Sequence, residues 1–127
     1  MLRAVILISV LFSLYGCGGP GASERALVQK IKAIGGGTTA PEGMVIHIDF
    51  VNNKKVTSDL LAEVKGLTKL EVLDLTQASV TDEMLPSLYE LDHINEIGLS
   101  NTQCTLEGIK KLEAEVPNVA IRHNITK

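Results

Sequence analysis

The chain is poor in the residues that anchor large cores and rigid frameworks. It has 127 residues with no Trp, two Phe, two Tyr and two Cys. That length holds one modest domain, which excludes a multidomain enzyme. Two cysteines build no disulfide framework, so the fold depends on apolar packing. Basic residues are also scarce, 12 against 15 acidic, for a net charge of -3. Phosphate contacts need clustered Lys and Arg, so nucleic acid is not an expected partner. Only three histidines are present. A zinc site takes three or four ligands; His93 falls in a helix-to-strand connection and His123 in the tail, both away from His47, so neither a metal nor another cofactor is expected. No apolar run approaches the roughly 20 residues that a membrane-spanning helix requires.

What the chain does have begins at its amino terminus. Arg3 is followed by an apolar run from Ala4 to Leu14, interrupted by Ser9 and Ser13. Residues 1 to 16 therefore read as a secretory signal. Its final residues, Leu14-Tyr15-Gly16-Cys17, resemble the lipobox of bacterial lipoproteins, although Tyr15 departs from that pattern. The resemblance implies cleavage before Cys17, several acyl chains on that cysteine and a membrane anchor in the cell envelope. Gly18 stands where an Asp would hint at inner-membrane retention, so outer-membrane sorting is the default. The alternative is cleavage after Gly18 and release of a soluble secreted protein. With lipid on Cys17, residues 17–22 are the lipidated cysteine and a short flexible Gly-rich tether. Loss of Arg3 with the leader leaves 11 basic and 15 acidic residues, a net of -4.

The body is repetitive. Thr57, Thr81 and Thr105 recur every 24 residues, preceded by Val56, Val80 and Cys104. Apolar columns align around them: Ile48, Leu73 and Ile97; Phe50, Leu75 and Leu99; Leu61, Leu85 and Ile109; Val64, Leu88 and Leu112. Leu67, Leu91 and Val116 follow, then Leu70, Ile94 and Val119. A composition 45% apolar does not fill seven such columns in every row by chance. Periodicity of this kind marks stacked units. Residues 46–50, 72–75 and 96–99 have apolar side chains two apart, the pattern of half-buried strands. Each Thr stands where a hydroxyl caps a helix, with Asp59, Asp82, Glu83 and Glu107 placing negative charge in the first turns.

The run Leu70-Glu71-Val72-Leu73-Asp74-Leu75, continued by Val80-Thr81-Asp82 and by Leu85, Leu88 and Leu91, resembles bacterial leucine-rich repeats of the VTD type. The resemblance covers residues 44–121. It implies an α/β fold, a short right-handed solenoid of about three and a half turns with parallel strands on a concave face and helices on the convex one. The third unit lacks Asp after Thr105, as a terminal unit can. Upstream, Leu27, Ile31 and Ile34 between Ser23 and Gly35-Gly36-Gly37 predict a cap helix, followed by a polar loop over 38–43, so that 23–43 form an amino-terminal cap. Residues 122–127 are expected to be a tail.

Strand alternation turns His47, Asp49, Val72, Asp74, Thr76, Glu96, Gly98 and Ser100 outward, making them the expected recognition face. Asp49 and Asp74 are expected side by side. Like charges so placed destabilise a sheet unless something compensates, which points to a cation or a Lys- or Arg-bearing ligand; the alternative is that both are simply solvated. His47 with Asp49 is the one pair open to a hydrolase reading, but no nucleophile or oxyanion context accompanies it, so no catalytic residues are expected. Cys104, in a valine column, is expected to be buried and unreactive. The Asn52-Asn53-Lys54-Lys55 run is expected to be a solvated loop. Gly35 to Gly37 ends a helix rather than opening one, so it is no phosphate loop. The expected function is a membrane-tethered module that binds a protein or other envelope component. Self-association through an open strand edge at Val119 and Ile121 is the alternative.

Overall fold

The computed structural model describes residues 21–126. Helix α1 (Ala22–Ala33) buries Leu27 and Ile31, one turn apart, and places Lys30 and Lys32 in its last turn, where they complement the helix dipole. Strand β1 (Gly37–Thr39), a 3-10 turn at Pro41–Gly43 and strand β2 (His47–Asp49) follow. The polar loop expected over 38–43 is thus replaced by a strand and a turn. β1 runs antiparallel to β2, with Thr38 opposite Ile48. Its β-branched threonines suit the pleat, and the pairing satisfies backbone groups on the edge of β2 that would otherwise face solvent.

From β2 onward the strands are parallel. They are β3 (Val72–Asp74), β4 (Glu96–Gly98) and β5 (Ala120–Arg122), and the sheet order is the chain order, β1 to β5. β5 reaches one residue beyond the expected end of the repeated region, into the segment anticipated as tail. Ile48 pairs with Leu73, Leu73 with Ile97 and Ile97 with Ile121. Each parallel connection carries a helical segment: α2 (Ser58–Val64), a 3-10 helix at Asp82–Leu88 and α3 (Leu106–Glu115). These segments pack against one another in chain order. The architecture is α/β, with a five-stranded, mostly parallel sheet.

All seven apolar columns predicted from the repeat are buried, and they form one continuous core with Leu27 and Ile31 of α1. At about 25 cal/mol for each Å² of apolar surface removed from water, this packing is the main stabilising contribution. Cys104 is buried with it, and its thiol lies 3.6 Å from the carbonyl of Val80. Burial pushes the Cys104 thiol above its ordinary pKa of 9.0, and the negative charge of Asp82 adds to this, while a hydrogen bond with Thr102 opposes it.

Two local expectations are corrected. The second unit forms a 3-10 helix instead of an α-helix, and its N-cap, Thr81, makes no side-chain capping bond. Pro86 lies inside this segment, has no amide hydrogen and would press its ring against the carbonyl four residues earlier in an α-helix. In the loop expected to be solvated, Asn53 is buried, with 8% of its surface exposed. Its side-chain amide donates to the carbonyl of Ile34 at 3.0 Å, and its side-chain oxygen accepts from the amide of Lys55 at 2.8 Å. Asn53 therefore ties the end of α1 to the first unit.

The turns after β2, β3 and β4 place Asn52, Gln77 and Asn101 in the left-handed region, with φ of 57°, 60° and 56°. The amide of Asn52 donates to the carbonyl of Thr76 at 2.9 Å, and that of Gln77 to the carbonyl of Ser100 at 2.8 Å. At the next turn a side chain takes the carbonyl's place, because the amide of Asn101 donates to Oδ1 of Asn124 at 2.8 Å. The side-chain amide of Asn124 donates back to Oδ1 of Asn101 at 2.7 Å.

Candidate recognition face

The register brings the outward residues into two rows. His47, Val72, Glu96 and Ala120 form one, and Asp49, Asp74, Gly98 and Arg122 form the other. Asp49 is therefore beside Asp74. Asp49 is exposed and Asp74 half-buried, and His47, Val72, Thr76, Glu96 and Ser100 are also half-buried.

Each aspartate also serves its own turn. Oδ1 of Asp49 accepts from the amide of Val51 at 2.8 Å, and Oδ1 of Asp74 accepts from that of Thr76 at 2.9 Å. A short acidic side chain two residues before a turn amide makes an Asx turn, which stabilises the reversal at the end of the strand. The second carboxylate oxygen of each has no hydrogen bond among the described residues. Gly98 makes room for this arrangement, because a Cβ there would lie 2.8 Å from Oδ1 of Asp74.

Arg122 completes the face and was missed by the sequence reading, which placed it in the tail. Its guanidinium Nη2 pairs with Oε1 of Glu96 at 2.7 Å. Glu96 is thereby engaged within the chain, and the other carboxylates of the face are those of Asp49 and Asp74. Val51, in the turn after β2, is a large apolar side chain with 46% of its surface exposed. Arg122 had no readable signal in a single unit and is found only by extending the register one residue beyond the repeats.

The histidines are used separately. His47 is on the strand face. Nε2 of His93 lies 3.1 Å from the carbonyl of Leu67, and Nε2 of His123 lies 3.8 Å from Oε1 of Glu113. Among the described residues no three His, Cys, Asp or Glu side chains converge so as to hold a metal ion. No helix among them is long and apolar enough to cross a membrane. Cys17, the expected lipidation site, lies outside the described residues. On the helical side, a cleft of about 400 Å³ separates the 3-10 helix from α3, with Pro86, Tyr89 and Lys111 among its lining residues. The carboxylate of Asp82 closes the end of this cleft toward Thr105.

A scan of the chain against protein-family models finds no match, and neither does a search of curated proteins.

Proposed function

We propose that the chain is a short right-handed leucine-rich-repeat solenoid, held at a membrane of the cell envelope by lipid on Cys17, that binds a protein or another envelope component across its strand face without catalysis. The observation that carries this reading is the row in which Asp49 and Asp74 stand side by side, each with a free carboxylate oxygen, beside the half-buried Val72. Two neighbouring negative charges on a sheet repel, and a Lys or Arg side chain placed between them relieves that repulsion while fixing the register of whatever carries it. The partner is therefore a polypeptide or envelope molecule presenting a cation beside a small apolar contact for Val72.

The test is site-specific photo-cross-linking in intact cells. A photoreactive residue at Val72 is expected to give a defined adduct that one at Lys110, on the helical side, does not, and Asp49→Asn with Asp74→Asn is expected to remove it. Equal adducts from both positions, or an adduct indifferent to the two substitutions, overturns the reading. Mass spectrometry of the mature amino terminus in the same cells checks the lipid on Cys17.

A further inference from the structure

The two ends of the sheet are finished differently. At one end β1 pairs antiparallel with β2, and α1 packs beside it. At the other end β5 is the edge strand among the described residues. The amide of Ala120 donates to the carbonyl of Asn95 at 2.9 Å, and the amide of Leu99 donates to the carbonyl of Arg122 at 2.7 Å. Residues 120 and 122 thus turn their backbone groups toward β4. Alternation along a strand in a parallel pair then turns the N–H and C=O of Ile121 away from β4, to the open edge.

That edge carries few of the features that protect exposed strands. β5 contains no Pro and no Lys, and its one charge, Arg122, is drawn onto Glu96 of the neighbouring strand at 2.7 Å. Ile121 continues the apolar row of Ile48, Leu73 and Ile97, yet it is only half-buried while the other three are fully buried. Nδ1 of His123, the residue after β5, is a buried side-chain atom with no hydrogen-bond partner.

We infer that β5 pairs antiparallel with β5 of a second copy of this chain, about a two-fold axis through Ile121. Backbone chemistry and charge select this register. An axis through Arg122 would set two guanidinium groups directly opposite each other, which is unfavourable. An axis through Ala120 would pair Ile121 with Val119, whose amide already donates to the carbonyl of Val116 at 3.1 Å. An axis through Ile121 lets that residue exchange both backbone hydrogen bonds with its own counterpart. It sets Arg122 opposite the small, exposed Ala120 of the second copy. The two-fold contact is closed, so it stops at a dimer. Three residues from each copy make a small interface, and the dimer accordingly forms at high local concentration.

Sedimentation equilibrium of the full chain in density-matched detergent tests this. The expected result is a monomer–dimer equilibrium that Ala120→Arg weakens and Ala120→Glu strengthens, each by about fivefold, because the substituted residue faces Arg122 of the second copy twice per dimer. Hydrogen exchange on the unsubstituted chain gives a readout independent of any variant. The amide of Ile121 is expected to exchange more slowly as concentration rises, while that of Leu73 does not change. A monomer at every concentration, equal shifts for both variants, or species growing beyond a dimer by β5 adding to β1 overturns the proposal. Loss of the Val72 cross-link with the dimer intact would count against the binding face alone.

Discussion

The junction between the second and third units is clamped, whereas the junction between the first and second is not. At the clamped junction Oδ1 of Asp82 accepts from the amide of Thr105 at 2.8 Å, and its Oδ2 accepts from the hydroxyl of Thr105 at 2.6 Å. That hydroxyl in turn accepts from the amide of Gly108 at 3.1 Å. A Cβ on Gly108 would collide with the carboxylate of Asp82, so the glycine is what allows the close approach. The corresponding position in the first unit is Ser58, and Thr81 has no capping bond. After the clamp comes a ten-residue α-helix, and after Thr81 a seven-residue 3-10 helix containing Pro86, while Thr57, also without a clamp, accepts from the amide of Leu60 at 3.3 Å and opens the seven-residue α2. The difference teaches that the Asp of a Val-Thr-Asp sequence serves the following unit as well as its own helix. It fixes the hydroxyl that caps the next helix, where dipole considerations alone would assign it only to the local first turn.

The largest effects are expected where the two junctions are alike. Leu88 and Leu112 occupy the same column, and both are fully buried. Leu88→Ala and Leu112→Ala are each expected to cost about 3 kcal/mol in urea denaturation, since each leaves a cavity. A cost at Leu88 well below that at Leu112 would mean that the second unit is loosely packed as well as unclamped. A smaller effect separates the junctions. Asp82→Ala is expected to cost about 1 to 2 kcal/mol by the same measurement, because it removes the two bonds that hold the amide and the hydroxyl of Thr105, whereas Ser58→Ala is expected to cost less than about 0.5 kcal/mol. Equal costs would remove the comparison.

The smallest effect belongs to Cys104, which stands one residue before the clamped threonine. Its folded-state pKa is raised above 9.0 by burial. Below that pH the thiol is neutral in both states and contributes no slope. Above it the unfolded chain ionises first and stability falls as pH rises. Cys104→Val, which restores the residue found at positions 56 and 80, is expected to leave stability at pH 7 nearly unchanged and to flatten this alkaline decline. An alkaline decline as steep in Cys104→Val as in the unsubstituted chain would assign it to other groups.

The sequence discloses the residues that repeat and conceals those that act once. Thr57, Thr81 and Thr105 and the columns around them are legible because periodic burial imposes the same chemistry on every unit. β1 is not legible, since Thr38 and Thr39 offer no alternation and become a strand only by meeting the edge of β2. Asn53 looks like a polar loop residue until α1 docks and presents the carbonyl of Ile34 to it. On the strand face, Asp49 and Asp74 follow from strand alternation, but the pairing of Glu96 with Arg122 spans two units and depends on the register of a strand that no complete repeat contains. Pro86 was visible throughout. Its consequence, a tighter helix in one unit of three, depends on the shared core tolerating that substitution of geometry.

The paired amides of Asn101 and Asn124 bear on how such a chain could lengthen or shorten over evolutionary time. Duplicating the second unit in place would give each inserted turn amide a main-chain oxygen, as at Asn52 and Gln77, and leave Asn101 on Asn124. Adding a unit beyond Arg122 would instead have to evict Asn124 and offer a peptide oxygen to Asn101 in its stead. Growth from within is therefore chemically simpler than growth at that end, and a single carboxamide acts as the stopper.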